Sequence, residues 1–242
     1  MRAMIFAAGL GTRLKPLTDT MPKALVPVGG KPLLEHVIGK LQAAGYTDLV
    51  VNVHHFPEQM KAYLAQHHPD VRISDESASL LETGGAVKHA RPLLEGEPFL
   101  VHNVDILSNL DLAWLRGQVR PDSLATLLVS ERETRRYLLF DEHMRLKGWT
   151  DIGTGEVRSP YPDLDPARCR RYAFSGIHVM GVGIFDAFDA LGVPERFPIM
   201  DFYLAACARY SIIGIPAPGL KLLDVGKLDT LAAAEAFLET AD

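Results

Sequence analysis

From Met4 to His102, short apolar runs alternate with longer stretches in which apolar residues recur every three or four positions. Met4-Ile5-Phe6-Ala7-Ala8 is an unbroken apolar run ended by Gly9, the pattern of a strand buried on both faces. Pro32 to Ala44 puts Leu33, Leu34, Val37, Ile38 and Leu41 on one helical face, with Pro32 in the first turn and Gly45 as the stop. Asp48 to Val53 then reads as a strand, Pro57 to His68 as a helix and Val71 to Ser74 as a strand. Gly84 to Leu94 reads as a helix and Pro98 to His102 as a strand. Such a series implies right-handed crossovers and an α/β fold of Rossmann-like type: a mixed, mostly parallel sheet with helices on both faces.

The second half is less regular. Leu124 to Val129, Tyr137 to Phe140, Ala173 to Met180 and Leu220 to Val225 read as strands; Met200 to Arg209 and Leu228 to Leu238 read as helices. Gly153 to Arg171, rich in Pro, Gly and charge, reads as a long loop or flap. With 242 residues and no repeat or linker, the expectation is a single domain over residues 1–242.

Charge and composition exclude several roles. The balance of 25 Lys+Arg against 30 Asp+Glu gives a net −5, which argues against the broad basic face of a nucleic-acid protein. A local positive pocket for a small phosphorylated ligand is still compatible with it. Ala3 to Leu10, the longest uncharged N-terminal run, is too short to cross a bilayer and has no cleavage-site pattern after it, since Gly11-Thr12-Arg13 follows directly. The expectation is therefore a cytoplasmic protein with no membrane partner. Cys169 and Cys207 have no metal-type spacing and read as reduced thiols.

The densest chemistry follows the first strand: Ala8-Gly9-Leu10-Gly11-Thr12-Arg13-Leu14-Lys15-Pro16-Leu17-Thr18, then Pro22-Lys23. Glycines here let backbone N–H groups approach phosphate oxygens, Arg13 can fork two donors onto a phosphate, and Lys23 supplies a point charge. A dinucleotide fingerprint would need glycine at Leu14 and an early helix, which Pro16 opposes. A Walker A loop would need a terminal Gly-Lys-Ser/Thr, and none is present.

This run resembles the signature of the sugar-1-phosphate nucleotidyltransferases, which include mannose-1-phosphate guanylyltransferases, glucose-1-phosphate thymidylyltransferases and N-acetylmuramic acid 1-phosphate uridylyltransferases. Leu81-Glu82-Thr83-Gly84-Gly85-Ala86 resembles the family's base-binding turn, Asn103-Val104-Asp105 its aspartate after a central strand, and Leu222-Leu223-Asp224-Val225-Gly226 its late aspartate motif. The resemblance implies the nucleotidyltransferase fold, here without the C-terminal β-helix of many relatives. It implies attack of a sugar 1-phosphate on the α-phosphate of an NTP, with pyrophosphate leaving. Catalysis of that kind is positioning plus charge neutralisation.

The resemblance also assigns roles. Ala8, Gly9, Gly11 and Thr12 would cradle the phosphates, Arg13 the leaving pyrophosphate, and Lys23 the region of the α-phosphate. Asp105 and Asp224 would hold Mg²⁺, a cation satisfied by two carboxylates plus phosphates and water, although either aspartate alone reads equally as a turn former. Glu76 or Glu82 would accept a ring N–H of uracil, thymine or guanine, with Glu76 preferred and backbone groups of Gly84 and Gly85 supplying further contacts. Ser175 and Gly176 in Tyr172-Ala-Phe-Ser-Gly-Ile-His178, with Asn103, would let the sugar approach the backbone, and Trp149 offers it an apolar platform. His178 reads as an ordinary strand histidine. The pair His54-His55, with no third ligand at metal spacing, reads as loop or packing.

One departure bears on the substrate. Many members carry Glu-Lys-Pro near the sugar phosphate, where this chain has Gly148-Trp149-Thr150. Arg136, Arg170 and Arg171 are then the candidates to counter that charge. The muramic acid uridylyltransferases also lack the lysine and share Leu-Glu-Thr-Gly-Gly and Phe-Ser-Gly-Ile. The expectation is UTP with N-acetylmuramic acid 1-phosphate in cell-wall precursor metabolism, ahead of GTP with mannose 1-phosphate. A non-catalytic nucleotide-sugar sensor is disfavoured by the joint presence of Arg13, Lys23, Asp105 and Asp224, and a homo-oligomer is compatible with everything above.

Overall fold

The computed structural model describes residues 1–240. Its first half contains β1 (Arg2–Phe6), the short pair β2 (Pro27–Val28) and β3 (Lys31–Pro32), α1 (Leu33–Ala43), β4 (Asp48–Val53), α2 (Pro57–His67), β5 (Arg72–Asp75), α3 (Glu82–His89), α4 (Arg91–Leu94) and β6 (Phe99–Asn103). The second half contains β7 (Ile106–Ser108), α5 (Leu112–Gly117), β8 (Ala125–Ser130), β9 (Arg136–Phe140), β10 (Leu146–Asp151), β11 (Glu156–Arg158), β12 (Arg170–Met180), α6 (Ile184–Ala190), α7 (Ile199–Ala206), β13 (Ile212–Pro216), β14 (Leu222–Asp224) and α8 (Leu228–Thr240).

β1 lies between β4 and β6, parallel to both, and β5 continues the parallel set beyond β4. On the other side of β6 the sheet turns antiparallel. The long strand β12 pairs with β6 through Ile177–Met180 and with β9 through Arg170–Tyr172, while β8 runs along its other edge. β10 and β11 extend the β9 side, and β13 joins β8 in parallel. The sheet is thus mixed, with a Rossmann-like parallel centre.

Alternation along the central strands feeds two cores, one on each face. Ala3, Ile5, Leu49, Val51 and Leu100 pack with α1, α2, α5 and α8. Met4, Val50, Phe99 and Val101 pack with α3, α4, α6 and α7. These strands are apolar on both faces because both faces are covered by helices. No β-helix follows Asp224 among the described residues, and no helix there is long and apolar enough to cross a membrane.

Several boundaries differ from the sequence reading. The helix expected over 84–94 starts earlier and breaks at Ala90, since Pro92 cannot donate within a continuing helix. β1 stops at Phe6, and Ala7–Ala8 already belong to the following loop. The expected 153–171 loop contains β11 and the start of β12, and the helix expected over 200–209 ends at Ala206. The strands β7, β10 and β13 and the helices α5 and α6 carry weak patterns and were not anticipated.

Candidate active site

Beyond Phe6 the chain leaves the sheet and builds a loop whose shape depends on glycine. Gly11 has φ +64, a left-handed conformation, and a Cβ there would stand 2.8 Å from Thr18 Cγ2. The Thr18 hydroxyl donates to the Gly11 carbonyl at 2.8 Å, closing the loop on itself. Thr12–Leu14 then form a single 3₁₀ turn that buries Leu14 and leaves Arg13 exposed. A second such turn, Lys23–Leu25, is seated by buried Ala24, and its Lys23 ammonium forms an ion pair with the Asp105 carboxylate.

Asp105 sits in the turn after β6, held from both sides: Val104 N–H donates to Phe6 O at 3.1 Å, and Asp105 O accepts from Val225 N–H at 2.8 Å. The second bond extends the antiparallel pair β7–β14, in which Asp224 lies opposite Ile106. Two acidic residues far apart in sequence thereby occupy neighbouring strand ends. Gly226 completes the arrangement. A Cβ there would lie 2.6 Å from both Arg13 Nη2 and Asp224 Oδ1, so the missing side chain is what lets these groups crowd together. Exposed Arg13 and Asp224 thus lie together at Gly226, and the Val225–Asp105 bond sets them beside the pair of half-buried Asp105 and buried Lys23. Two carboxylates without a cluster of three or more His, Cys, Asp or Glu, among the described residues, suit a hard cation that keeps water and substrate oxygens in its shell.

From that pair a cleft of about 390 Å³ runs along the ends of β1, β4 and β6. Ala8, Gly9, Lys23, Asn103 and Asp105 line it, and at its far end so do Glu76, Glu82 and Thr83. Strand ends of a parallel sheet are where open α/β folds take ligands. Gly11, Thr12, Arg13, Ser175, Gly176 and Asp224 are outside this lining.

Glu76 is no solvated surface carboxylate. It is 2% exposed, its Oε1 accepts from Asn52 Nδ2 at 2.8 Å, and its Oε2 is buried without a partner in the protein. Burial pushes its pKa up, against the lowering pull of the Asn52 hydrogen bond. Glu82, at φ +61, turns to the Arg196 guanidinium, 2.9 Å away. Of the backbone groups of Gly84 and Gly85, the N–H donors are engaged within the protein. Their N–H groups donate to Phe197 O at 2.8 and 3.1 Å, and Cβ atoms there would strike the Phe197 ring and Glu195 O. They dock α3 against the loop before α7, so those donors are not available to a ligand.

Behind Asn103, Gly176 has φ +73 and presses against the Asn103 amide, where a Cβ would stand 2.8 Å from Nδ2. The neighbouring Ser175 hydroxyl is buried and unpartnered. Trp149 is not brought to the cleft: it lies on β10, with the Arg158 guanidinium 5.9 Å above its ring. Of the three arginines, Arg136 lies 3.7 Å from Asp151, while Arg170 and Arg171 open β12, and none of the three lines the cleft. His54 Nδ1 donates to Glu76 O at 2.7 Å, His55 reaches Thr18 O at 3.2 Å, and His178 is buried against Phe174 and Tyr203. All three do packing and loop-holding work. Both cysteines are free. Sequence reasoning missed Asn52, whose place inside an apolar strand run was the available signal.

The nucleotidyl transferase family model matches residues 2–137, and the chain belongs to that family. It is similar, at 44% identity over 205 residues, to the N-acetylmuramate alpha-1-phosphate uridylyltransferase of Neisseria meningitidis, over 83% of this chain and 84% of that one. The Caulobacter vibrioides enzyme of the same name is 48% identical over 108 residues, 43% of this chain, and the match spans only 45% of that enzyme's length. A putative glucose-1-phosphate thymidylyltransferase from Bacillus anthracis shares the fold, with a TM-score of 0.78 at 18% identity over 98% of this chain and 95% of that one.

Proposed function

We propose that this chain transfers a uridylyl group from UTP to N-acetylmuramate 1-phosphate, releasing pyrophosphate. The observation that carries the reaction class is the meeting of Asp105, Asp224, Arg13 and Lys23 beside a cleft whose floor is the strand-end loop. The choice of base and sugar is supported by the near full-length similarity to the Neisseria enzyme and by the buried acceptor at Glu76. Uracil has a ring N–H to offer that acceptor.

In this mechanism the triphosphate lies over Ala8 and Gly9, with their backbone facing phosphate oxygens. A phosphate oxygen of the sugar 1-phosphate attacks the α-phosphorus, and the bond to the bridging oxygen of the β-phosphate breaks. Arg13 holds the departing pyrophosphate, and Lys23 neutralises charge growing on the α-phosphoryl oxygens. A Mg²⁺ ion held by Asp105 and Asp224 would supply further neutralisation of the phosphates. Asn103 and the bare backbone at Gly176 form the sugar side. The reaction uses cytoplasmic substrates and needs neither nucleic acid nor membrane.

The test is pyrophosphate release across a panel of UTP, GTP, TTP and CTP with N-acetylmuramate, mannose and glucose 1-phosphates, with and without Mg²⁺. UTP with N-acetylmuramate 1-phosphate is expected to be fastest and to need the cation. A faster rate with GTP and mannose 1-phosphate would replace the substrate reading, and nucleotide-sugar binding without release would replace the enzymatic one.

A further inference from the structure

Asn52 lines the same cleft, on β4, and is 3% exposed. Its two amide atoms are both committed, and the commitments fix its orientation. Ala7 N–H donates to Asn52 Oδ1 at 2.7 Å, so Oδ1 must face the strand-end loop. The Nδ2 group therefore faces Glu76 and donates to Oε1 at 2.8 Å. A backbone N–H has no alternative role, so this relay has only one direction.

Everything that reaches the ligand follows from that direction. With Oε1 taken, the remaining atom at position 76 is Oε2, buried at the cleft wall with no partner in the protein. On a carboxylate that atom can only accept. We infer that Asn52 is a positioning residue that makes position 76 a pure acceptor, so that the site selects bases with a ring N–H and rejects cytosine, whose N3 is itself an acceptor. This deepens the reading proposed above and rests on it for the place of the base. Other groups around Glu76 do not supply the same control: the Leu81 backbone N–H, a further donor toward the carboxyl, favours its charged, accepting form but does not orient it as the Asn52 amide does. His54 binds the Glu76 backbone carbonyl, His89 of α3 binds the Asp75 carbonyl at 3.1 Å, Glu82 is engaged with Arg196, and Asp75 points to Lys61 at 2.8 Å.

The relay makes an unusual demand of substitutions. In Glu76→Gln the Asn52 donor still claims Oε1, leaving the amide NH₂ toward the base, a donor where an acceptor is required. In Asn52→Leu the buried carboxyl loses its donor and is driven to the neutral form, which can donate as well as accept. In the double variant the glutamine is free to rotate and turn its oxygen to the ring N–H.

The experiment measures equilibrium binding of UTP and CTP, each with Mg²⁺ and without sugar phosphate, to the parent, both single variants and the double variant, with thermal melts to establish folding. The expected result is a preference for UTP of about tenfold to a hundredfold in the parent, the scale of one unpaired buried polar group. Each single variant loses most of that preference, and the double variant regains UTP affinity without regaining the preference, since a glutamine free to rotate can turn its oxygen to uracil or its NH₂ to cytosine N3. Losses of UTP affinity that simply add, or a UTP-to-CTP ratio unmoved in folded Asn52→Leu, would overturn the inference, as would a parent that binds both nucleotides equally. Because no transfer is measured, preserved UTP selectivity alongside absent pyrophosphate release would sink the proposed function and leave the relay standing.

Discussion

The main-chain N–H of Val225 donates to the main-chain carbonyl of Asp105 at 2.8 Å, and this bond ties the end of the late strand β14 to the turn after the central strand β6. Asp224 comes with it, one residue away. The acidic pair thus depends on a two-stranded ribbon, β7 with β14, set beside the main sheet. The groups beside the cleft are recruited from four separate segments, and each is held by main-chain contacts or by packing of its neighbours.

Asp224 is exposed, so its removal should cost little stability. Asp224→Asn is expected to keep the parent melting temperature within a degree or two while lowering kcat by about 10²-fold or more. Asp105→Asn also leaves the Lys23 ammonium without its carboxylate, so a lower melting temperature should accompany the loss of turnover. Steady-state pyrophosphate release and calorimetry on the same preparations check both. Unchanged turnover in either variant would remove its proposed role.

Gly226→Ala places a methyl group 2.6 Å from Arg13 Nη2 and Asp224 Oδ1. Both are ends of side chains able to swing away, so the fold should survive while the mouth of the site is rearranged. Turnover is expected to fall toward that of Arg13→Ala, itself about 10²–10³-fold below the parent, by analogy with the loss of one charge-stabilising group. Combining Gly226→Ala with Arg13→Ala should then cost less than the product of the two, since both act on one contact. Full multiplicativity of the rate losses would argue against it.

Gly84 carries a different kind of load. A Cβ there enters the Phe197 ring, which is packed by Phe188 and Phe202. Gly84→Ala should destabilise by about 1–3 kcal/mol, the usual cost of overpacking, with the effect on kcat secondary to it. Chemical denaturation gives the number. A stable variant with selectively impaired UTP binding would instead return Gly84 to the ligand.

The central half of this molecule was legible because β1, β4 and β6 are buried on both faces and therefore written as apolar runs, with amphipathic helices between them. The strands beyond β6 were harder. β10 reads Leu-Lys-Gly-Trp-Thr-Asp, with polar residues satisfied by neighbouring loops, and β7 and β14 are too short to carry a period. At the site, the glycines and charges after β1 marked out the loop whose Ala8 and Gly9 line the cleft. What a sequence does not display is which donors are already spent: the N–H groups of Gly84 and Gly85 go to Phe197, and the amide of Asn52 goes to Ala7 and Glu76. Trp149 lies away from the cleft because the register of β10 with β9 and β11 carries it elsewhere.

His178 offers a test by pH. Burial holds its pKa down at about 3, from an ordinary 6.5, and neither ring nitrogen has a partner in the protein. The unfolded chain takes up a proton on this group as pH falls below about 6.5 while the folded chain does not. The stability it confers is therefore present above that value and drains away toward about 3. His178→Phe removes the proton uptake and two orphaned polar atoms from a ring cluster. Its melting temperature relative to the parent should be higher at about pH 5 than at about pH 7.5. A gap that does not change with pH would show that the ring is already protonated in the folded state.

In the proposed reaction Asp105 and Asp224 hold one cation against a nucleotide triphosphate. Electron paramagnetic resonance of Mn²⁺, titrated into protein with saturating UTP, reads that directly in the parent, Asp105→Asn and Asp224→Asn. The expected outcome is tight Mn²⁺ uptake by the parent, weakened about tenfold or more in each variant, with UTP itself still bound. Mn²⁺ uptake of equal strength in the parent and in Asp224→Asn would contradict it.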